Sequence, residues 1–360
     1  MDSQRKLIAL PVQMIERDDG VILKRGCTEF RIDGPEAIQM LRALLEVVGE
    51  GGATREEVCV CFPPLYRLAV EDLVQQLVAR RILVSVDEVQ SVARAPEGPL
   101  EVFYWNFGFR PEDVTARLNS RQMVIVGVNC VSRQLVAALG AAAATNVKVV
   151  DYPLLRNVRL FDCHGSLISG QWPESASPPI AHSEWIKNQQ TTSLNCLIAT
   201  SDFGGMQLMR EWNQFCFEAN IQFFPVVLQN AVGYVGPLVI PGETACFECL
   251  RARQNSHLAD PEIQRAAEYR AFEGQFVNGF HPSMASVLGD LAAIELTKFY
   301  GRIPRWRVGT LIEVNLLMPS IVTRKVLKIP RCSVCSPLNK HSPASLDRVS
   351  YLSSNEYASA

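Results

Sequence analysis

The chain has 360 residues, is 48% hydrophobic, and carries 35 basic against 37 acidic residues, for a net charge of −2. This length suits two domains better than one, and the balanced charge gives no basic excess for a nucleic-acid backbone. The apolar runs at 135–144 and 223–228 are shorter than the roughly 20 residues a bilayer requires. Residues 1–8 lack the apolar core of a signal peptide. We therefore expect a cytoplasmic protein with neither a nucleic-acid nor a membrane partner.

The first 88 residues predict a small α+β domain. Segments rich in β-branched and aromatic residues lie on either side of Gly26-Cys27 and indicate two strands. Apolar residues at helical spacing then indicate two longer helices, and Thr54 with Glu57 forms a capping box for a short helix between them. This order fits a winged-helix plan, with a generic α+β domain as the alternative. The predicted strands are 21–26, 28–32 and 82–86, and the longer helices are 38–48 and 70–78.

We interpret residues 89–118 as a linker and packing segment, and residues 119–360 as a second domain. The continuous apolar run at 123–127 is typical of a buried parallel strand. A helix with apolar residues from Val131 onward follows it, and further strands are predicted at 147–151, 196–200 and 222–228. Alternation of strands and helices with right-handed crossovers predicts a doubly wound, Rossmann-like α/β sheet.

The 11 cysteines are an odd number without a secretion signal, which argues against a disulfide framework. Four of them form two C-x-x-C pairs, Cys246 with Cys249 and Cys332 with Cys335. Each pair lets two thiolates face one ion, and four thiolates complete the closed tetrahedral site that zinc prefers. We predict one structural zinc ion here. The alternative, a redox pair, would place a single C-x-x-C after a first strand.

A candidate nucleotide loop lies between the first strand and helix of the second domain. Gly127 supplies the first glycine of a dinucleotide-type loop, but Asn129 and Ser132 stand where two further glycines would be. Glycines there allow close approach of a phosphate and close helix packing. Asp151 ends the second strand, where an acid could hold a ribose hydroxyl. The alternative is that Asp151 only caps a strand–loop turn.

The second domain resembles the ThiF/MoeB superfamily, whose fold is that of ubiquitin-activating-type adenylating enzymes. The likeness runs from about Met123 to Pro337 and is carried by the Gly127 loop, Asp151 and the strand end at Asp202. It is also carried by the segment 233–238, by the long helix starting at 281, and most specifically by 241–250, which resembles that family's first zinc knuckle.

The departures from that family concern its chemistry. Pro153 stands in place of a second acid, and the sequence from Asn157 to Arg159 is a shortened remnant of an Asn-x-x-Arg-Gln segment. Phe203 replaces the Asn that follows Asp202, and the loop lysine has no counterpart. Adenylation needs cations on the phosphates as charge develops. The resemblance therefore implies vestigial nucleotide-binding residues at Gly127, Asp151 and Asp202, and it leaves binding of ATP and magnesium open.

With its N-terminal domain included, the whole chain resembles the ThiF-like leader-peptide-binding proteins of azole- and azoline-modified peptide biosynthesis. In that family the N-terminal unit is a precursor-peptide recognition element. The resemblance implies a protein that binds the leader of a ribosomal precursor peptide and presents it to a separate YcaO-type, ATP-dependent cyclodehydratase subunit. It also implies a homodimer and no catalytic residues in this chain.

An exposed strand can accept an extended peptide by strand addition, and a neighbouring helix can supply a groove for alternate side chains. The second strand of the N-terminal domain and its third helix are the candidates, unless that strand is sheet interior. The candidate peptide-binding residues are Thr28, Glu29, Phe30, Arg31, Ile32, Val70, Leu73 and Leu77. The alternative for the three helix residues is that they belong to the core.

Three functions stay open at the level of sequence. The first is the non-catalytic leader-binding partner of a cyclodehydratase. The second is an active ATP-dependent adenylating enzyme that acts on a peptide carboxylate. The third is a winged-helix DNA-binding regulator. The helix 65–81 contains only Arg67, Arg80 and Arg81 as positive residues, beside Glu71 and Asp72, which makes it a poor reader of the DNA groove.

Overall fold

The computed structural model describes residues 5–49, 51–86, 98–188, 194–257, 260, 262–263, 266, 279–304 and 306–338. The stretch 89–97 of the predicted linker lies outside these residues. The chain divides into two compact units, Met1–Val114 and Thr115–Ala360. None of the described helices is both long and apolar enough to cross a bilayer.

The first unit contains a three-stranded antiparallel sheet in the order β2-β3-β4 and a separate antiparallel pair, β1 with β5. Helix α5, Pro111–Asn119, crosses the boundary between the units. The strands are β1 Leu7–Ala9, β2 Gln13–Arg17, β3 Gly20–Arg25, β4 Thr28–Asp33 and β5 Leu83–Ser85, and the helices are α1 Ala37–Val48, α2 Arg55–Val60, α3 Arg67–Ala79 and α4 Pro99–Asn106.

Local sequence signals determine several of these elements. Gly26 adopts φ +54°, which suits the two-residue turn between β3 and β4. The capping box at α2 is confirmed: the Glu57 side chain accepts from the Thr54 N–H at 2.7 Å, and Thr54 Oγ1 accepts from the Glu57 N–H at 3.2 Å. Two N–H groups at the start of the helix, which have no partner within the helix, thereby gain hydrogen-bond acceptors.

The core of the first unit lies between one face of the sheet and helices α1 to α3. Val21 and Leu23 of β3 and Leu41 and Leu44 of α1 are fully buried in it. All five side chains of β2 are exposed. Trp105 of α4 packs in a smaller buried cluster that also contains Leu10 and Val84.

The second unit is built on an eight-stranded sheet in the order β13-β12-β11-β10-β9-β6-β7-β8. The strands from β10 to β8 are parallel, and β11 to β13 are antiparallel. The four predicted strands of this domain are confirmed as β6, β7, β9 and β10. The strands are β6 Met123–Val126, β7 Val147–Asp151, β8 Ile180–Ala181, β9 Cys196–Ser201, β10 Gln222–Gln229, β11 Val232–Val235, β12 Thr310–Asn315 and β13 Ser320–Lys325.

Helices cover both faces of this sheet, which is why every residue of β6 is buried. One face carries α8 and α9, whose apolar residues join Val124 and Val126 in one core. The other face carries α6 and α10, which pack so closely that Gly289 lies against Gln134 and Leu135. The helices are α6 Cys130–Ala141, α7 His182–Asn188, α8 Met206–Glu218, α9 Phe247–Asn255 and α10 Pro282–Gly301.

Candidate functional sites

The four predicted cysteine ligands converge on one point. Their Sγ atoms all lie within 4.8 Å of one another, and all four residues are buried. The pairs Cys246–Cys332, Cys249–Cys335 and Cys246–Cys249 have Sγ–Sγ distances of 3.6, 3.4 and 3.9 Å. A regular tetrahedron with metal–sulfur bonds of about 2.3 Å has sulfur–sulfur edges of about 3.8 Å. The cluster therefore fits a single tetrahedral metal ion.

Secondary structure and hydrogen bonds hold the two pairs in place. Cys246 is the N-cap of α9 and Cys249 lies in its first turn, while Cys332 and Cys335 lie in a turn after β13. The Ile329 N–H donates to Cys249 Sγ at 3.4 Å, a contact that orients a thiolate. The ion would therefore tie α9 to the chain segment 80 residues further on.

The start of α9 is in turn anchored on α8. Asn213 Oδ1 accepts from the Phe247 N–H at 2.9 Å. Arg210 Nε donates to Glu248 Oε2 at 2.6 Å, and its Nη2 donates to Oε1 at 2.9 Å. Planar, two-pronged pairs of this kind fix orientation as well as charge. The cluster is thus part of the core of the second unit.

The loop after β6 is filled by the side chain of Asn129. Its Nδ2 donates to the carbonyls of Leu155 at 3.1 Å and Thr200 at 3.0 Å, and its Oδ1 accepts from the N–H groups of Val131 and Ser132. Asn129 is fully buried and forms a capping box with Ser132. The N–H groups that would cradle a phosphate at a helix N-terminus are thus occupied by the protein itself.

Asp202 engages the same loop from the end of β9. Its Oδ2 accepts from the Cys130 N–H at 3.0 Å and from Asn157 Nδ2 at 2.7 Å, and the residue is buried. Burial, and then the nearby Asp202 carboxylate, raise the pKa of the Cys130 thiol to about 11. Cys130 therefore stays a neutral thiol at neutral pH and is a poor nucleophile.

Asp151 lies at the carboxyl end of β7, as predicted, and its carboxylate is held by Arg156. Arg156 Nε donates to Asp151 Oδ1 at 3.0 Å, and Nη2 contacts Oδ2. The guanidinium also lies 4.0 Å from the ring centroid of Phe161. Gly127, with φ +104°, sits where an added Cβ would meet the Thr200 carbonyl at 2.8 Å. Gly127, Asp151 and Asp202 thus lie at one edge of the sheet, each engaged by protein atoms.

An aromatic cluster lies beside this edge. The ring of His182 is 4.7 Å from that of Tyr152 and 6.1 Å from those of Trp185 and Trp212. Burial lowers the pKa of His182 to about 4, although nearby Asp151 acts in the opposite direction. His182 is therefore neutral at physiological pH and packs as an aromatic side chain.

The candidate peptide-binding strand β4 lies at an edge of its sheet, pairing with β3 alone within the described residues. Just beyond β4, the Gly34 N–H donates to the Asp19 carbonyl at 2.9 Å. Backbone groups alternate along an antiparallel strand, so the even-numbered residues of β4 bond to β3. The N–H and C=O groups of Glu29 and Arg31 consequently point to the open edge.

Helix α3 runs alongside β4 in the opposite direction. At its C-terminal end, the Arg80 guanidinium lies 4.1 Å from the ring centroid of Phe30 in β4. At its N-terminal end, a hydrogen bond from Tyr66 to Glu36, just after β4, raises the pKa of Tyr66. These two contacts place the helix and the strand next to each other.

The predicted strand residues differ in exposure. Glu29 and Arg31 are exposed, Thr28 and Ile32 are half-buried, and Phe30 is buried. The predicted helix residues Val70, Leu73 and Leu77 are all buried in the core of the first unit.

Three side chains that hold the region around Gly127, Asp151 and Asp202 in place were not identified as doing so from the sequence. Arg156 pairs with Asp151, Asn157 donates to Asp202, and Asn129 fills the loop. A signal existed for Asn129 alone, because Asn is a favoured N-cap residue where a helix follows a strand. The pairing of Arg156 depends on the turn at Pro153–Leu155, which the sequence did not indicate.

The sequence matches no protein-family model and no curated protein. The fold, by contrast, matches solved structures. The crystal structure of E. coli MccB with AMPCPP and selenomethionine MccA has a TM-score of 0.64 and 15% identity, covering 92% of this chain and 99% of that one. The microcin C7 biosynthetic enzyme MccB in complex with N-formylated MccA has a TM-score of 0.67 at 16% identity, covering 92% and 100%.

A second kind of structure also matches. The heterocyclase TruD has a TM-score of 0.58 and 18% identity, covering 96% of this chain but 47% of TruD. The chain thus spans about half the length of that protein. At these identities the likeness establishes the fold alone: the chain shares the architecture of MccB and of the matching part of TruD.

Proposed function

We propose that this chain is a leader-peptide-binding, non-catalytic component of an azoline-forming cyclodehydratase. The observation that carries the proposal is the open edge of β4, where the backbone groups of Glu29 and Arg31 point away from β3. An extended leader would add as a further strand here and bond through its main chain. Such binding leaves the core of the precursor free for modification.

Helix α3 would supply side-chain contacts to a leader bound at the open edge of β4. Tyr66 and Arg80, which contact the two ends of the β4 region, share one helical stripe with Ala69 and Gln76. All four are exposed or half-buried. On the same stripe Leu73 and Leu77 are buried, so in this proposal they form the apolar floor beneath the bound leader.

The proposal of a non-catalytic role rests on the loop after β6. Transfer of an adenylyl group needs donors and cations that are free to meet phosphate oxygens. Here Asn129 occupies N–H groups at the start of α6, Asp202 accepts from the Cys130 N–H, and Arg156 neutralises Asp151. We therefore assign Gly127, Asp151 and Asp202 to the stability of this edge.

The neighbouring structures support a peptide partner. MccB is seen with MccA, and a heterocyclase that covers 92% of this chain, with a TM-score of 0.54 and 18% identity, is seen with its substrate and cofactor. As the sequence resemblance implies, we propose that a YcaO-type partner carries out the ATP-dependent cyclisation. The substrate would be a ribosomal precursor peptide.

We assign zinc to the four-cysteine cluster. Four thiolates select a soft or borderline ion and leave no position open for substrate. The ion would be structural, because all four cysteines are buried in or beside the core of the second unit.

Active adenylation is the second candidate function. Its support is that MccB, which has the same fold over 99% of its length, is seen with AMPCPP. An adenylating enzyme would exchange pyrophosphate into ATP when given its peptide, whereas a leader-binding component would not.

Calorimetry on the full chain tests the proposal. The precursor is identified by affinity capture from the native host and mass spectrometry, and its leader and core are then offered as separate peptides. The leader alone should bind as tightly as the whole precursor, and the core should add little. Equal affinity for leader and core would refute leader recognition.

A further inference from the structure

A cavity lies in the second unit, on the side of the sheet covered by α10. Its volume is about 280 Å³. It is formed by the last turns of α10 and by the strands β10 to β13. Five of its ten lining residues are apolar: Phe224, Val235, Leu238, Leu296 and Ile312.

The other five lining residues are polar, and three of them are charged. Lys298 and Glu295, on successive turns of α10, form an ion pair and are mostly buried. Arg307 also lines the cavity, and no described residue forms a hydrogen bond or ion pair with its side chain. Hydroxyls of Thr310 and Thr323 complete the lining. The charged side chains of the lining thus sum to one positive charge, and among the described residues the Arg307 guanidinium has no anionic partner.

This cavity is separate from the sites described above. Phe224 lies near the start of β10, whereas Asp202 follows the carboxyl end of the parallel neighbour β9. The cavity is therefore at the opposite end of the parallel strands from the Asn129 loop. None of the four clustered cysteines lines it.

We propose that this cavity binds a small organic monoanion, a carboxylate with an apolar body. The apolar walls would hold the body by excluding water from it. The guanidinium of Arg307 presents a planar fork that matches a carboxylate through two hydrogen bonds. The Lys298–Glu295 pair balances its own charge, so one anionic group on the ligand brings the site to neutrality.

Calorimetry and ligand-observed NMR on the full-length protein test this site with phenylacetate as the probe. Phenylacetamide, which has the same shape without the charge, is the matched ligand. Phenylacetate should bind, and phenylacetamide should bind at least about tenfold more weakly, a difference of about 1.4 kcal/mol. Binding of neither ligand, or equal binding of both, overturns the proposal.

Variants of exposed residues locate the binding. Arg307→Gln should weaken phenylacetate binding about tenfold, while Arg324→Gln, an exposed arginine on β13 that pairs with Glu313, should leave it unchanged. Thr323→Trp, on the exposed edge strand, should fill the cavity and abolish binding. Unfolding temperatures of the variants report whether each protein is folded. Unchanged affinity in folded Arg307→Gln or in folded Thr323→Trp would contradict the assignment.

Discussion

Arg156 donates from Nε to Oδ1 of Asp151 at 3.0 Å, so the acid at the end of β7 already has a cationic partner. In a dinucleotide-type fold an acid at this position holds a ribose hydroxyl. A nucleotide entering here would have to displace Arg156 and also the Asn129 side chain, which makes hydrogen bonds to Leu155 and Thr200. At this edge of the sheet, Asp151 and Asn129 are thus engaged by this chain's own residues.

The first prediction concerns ATP. The isolated chain, supplied with its precursor peptide, should show no exchange of pyrophosphate into ATP, because the groups that would meet the phosphates are engaged. In a system reconstituted with the YcaO-type subunit, Asp202→Asn should keep cyclisation within a few-fold of wild type. The asparagine retains an oxygen that can accept from the Cys130 N–H, so the helix start is preserved.

One combination of results would favour an adenylating enzyme instead. Exchange activity in the wild type, lost in a folded Asp202→Asn protein, would assign the carboxylate a role in placing magnesium or phosphate.

The second prediction concerns the metal. Metal analysis of the purified protein should find about one zinc ion per chain. Cys249→Ser or Cys335→Ser should lower the free energy of unfolding by at least about 4 kcal/mol and the melting temperature by about 10 °C, because metal binding is coupled to folding. Cys163→Ser, at an exposed cysteine outside the cluster, is the matched control and should be neutral. A metal-free wild type with unchanged melting would remove the zinc assignment.

Much of the architecture was predictable because it depends on local pattern. The continuous apolar runs of β6 and β10 indicated strands buried on both faces, and the C-x-x-C spacing indicated the ligand pairs. The capping box formed by Thr54 and Glu57 indicated the start of α2. Each of these signals lies within a few residues of the structure it specifies.

Features that depend on distant residues were not predictable. Strand β2 carries exposed polar and apolar residues without a clear alternation and forms only by pairing with β3. The sequence also left open whether Val70, Leu73 and Leu77 face a peptide or the core, because helical spacing shows that they share one side of α3 without showing what covers it. In the structure they are buried. The contact of Arg156 with Asp151 depends on a turn whose geometry is set by packing.

The third prediction tests the contact between α6 and α10. A Cβ added at Gly289 would lie 2.7 Å from Gln134 Cβ and 2.8 Å from the backbone nitrogen of Leu135. Gly289→Ala should therefore destabilise the protein by about 1 to 3 kcal/mol in urea unfolding. Gly140→Ala is the control, because that helical glycine faces open space and alanine should stabilise by up to about 1 kcal/mol. Similar effects of both changes would contradict this packing.

The fourth prediction concerns pH. Burial lowers the pKa of His182 from 6.5 to about 4, so the folded protein holds a neutral imidazole. The unfolded chain binds a proton below pH 6.5, and the stability contributed by this group is therefore complete above pH 6.5 and is lost as the pH falls toward 4. The shift of 2.5 units (6.5 minus 4) corresponds to about 3 kcal/mol.

Urea titrations between pH 4 and 7.5 measure that dependence. His182→Phe should flatten the pH profile in this window, while His257→Asn, at an exposed position, should not. If His182→Phe keeps the wild-type slope, another group is responsible for the pH dependence.

The fifth prediction separates main-chain from side-chain recognition of the leader. Proline at Glu29 or Arg31 removes an N–H that faces the open edge of β4 without breaking a bond to β3. Glu29→Ala changes only the side chain at the same position. Met14→Pro removes an outward N–H from β2, the opposite edge of the same sheet, and is the matched proline control.

Titration calorimetry of the leader peptide on these full-length variants measures whether the leader binds at β4. Glu29→Pro and Arg31→Pro should each weaken leader binding at least about tenfold, with melting temperatures close to wild type. Glu29→Ala and Met14→Pro should bind the leader with wild-type affinity. Wild-type affinity in both folded β4 proline variants, or an equal loss in Met14→Pro, would contradict binding of the leader at β4.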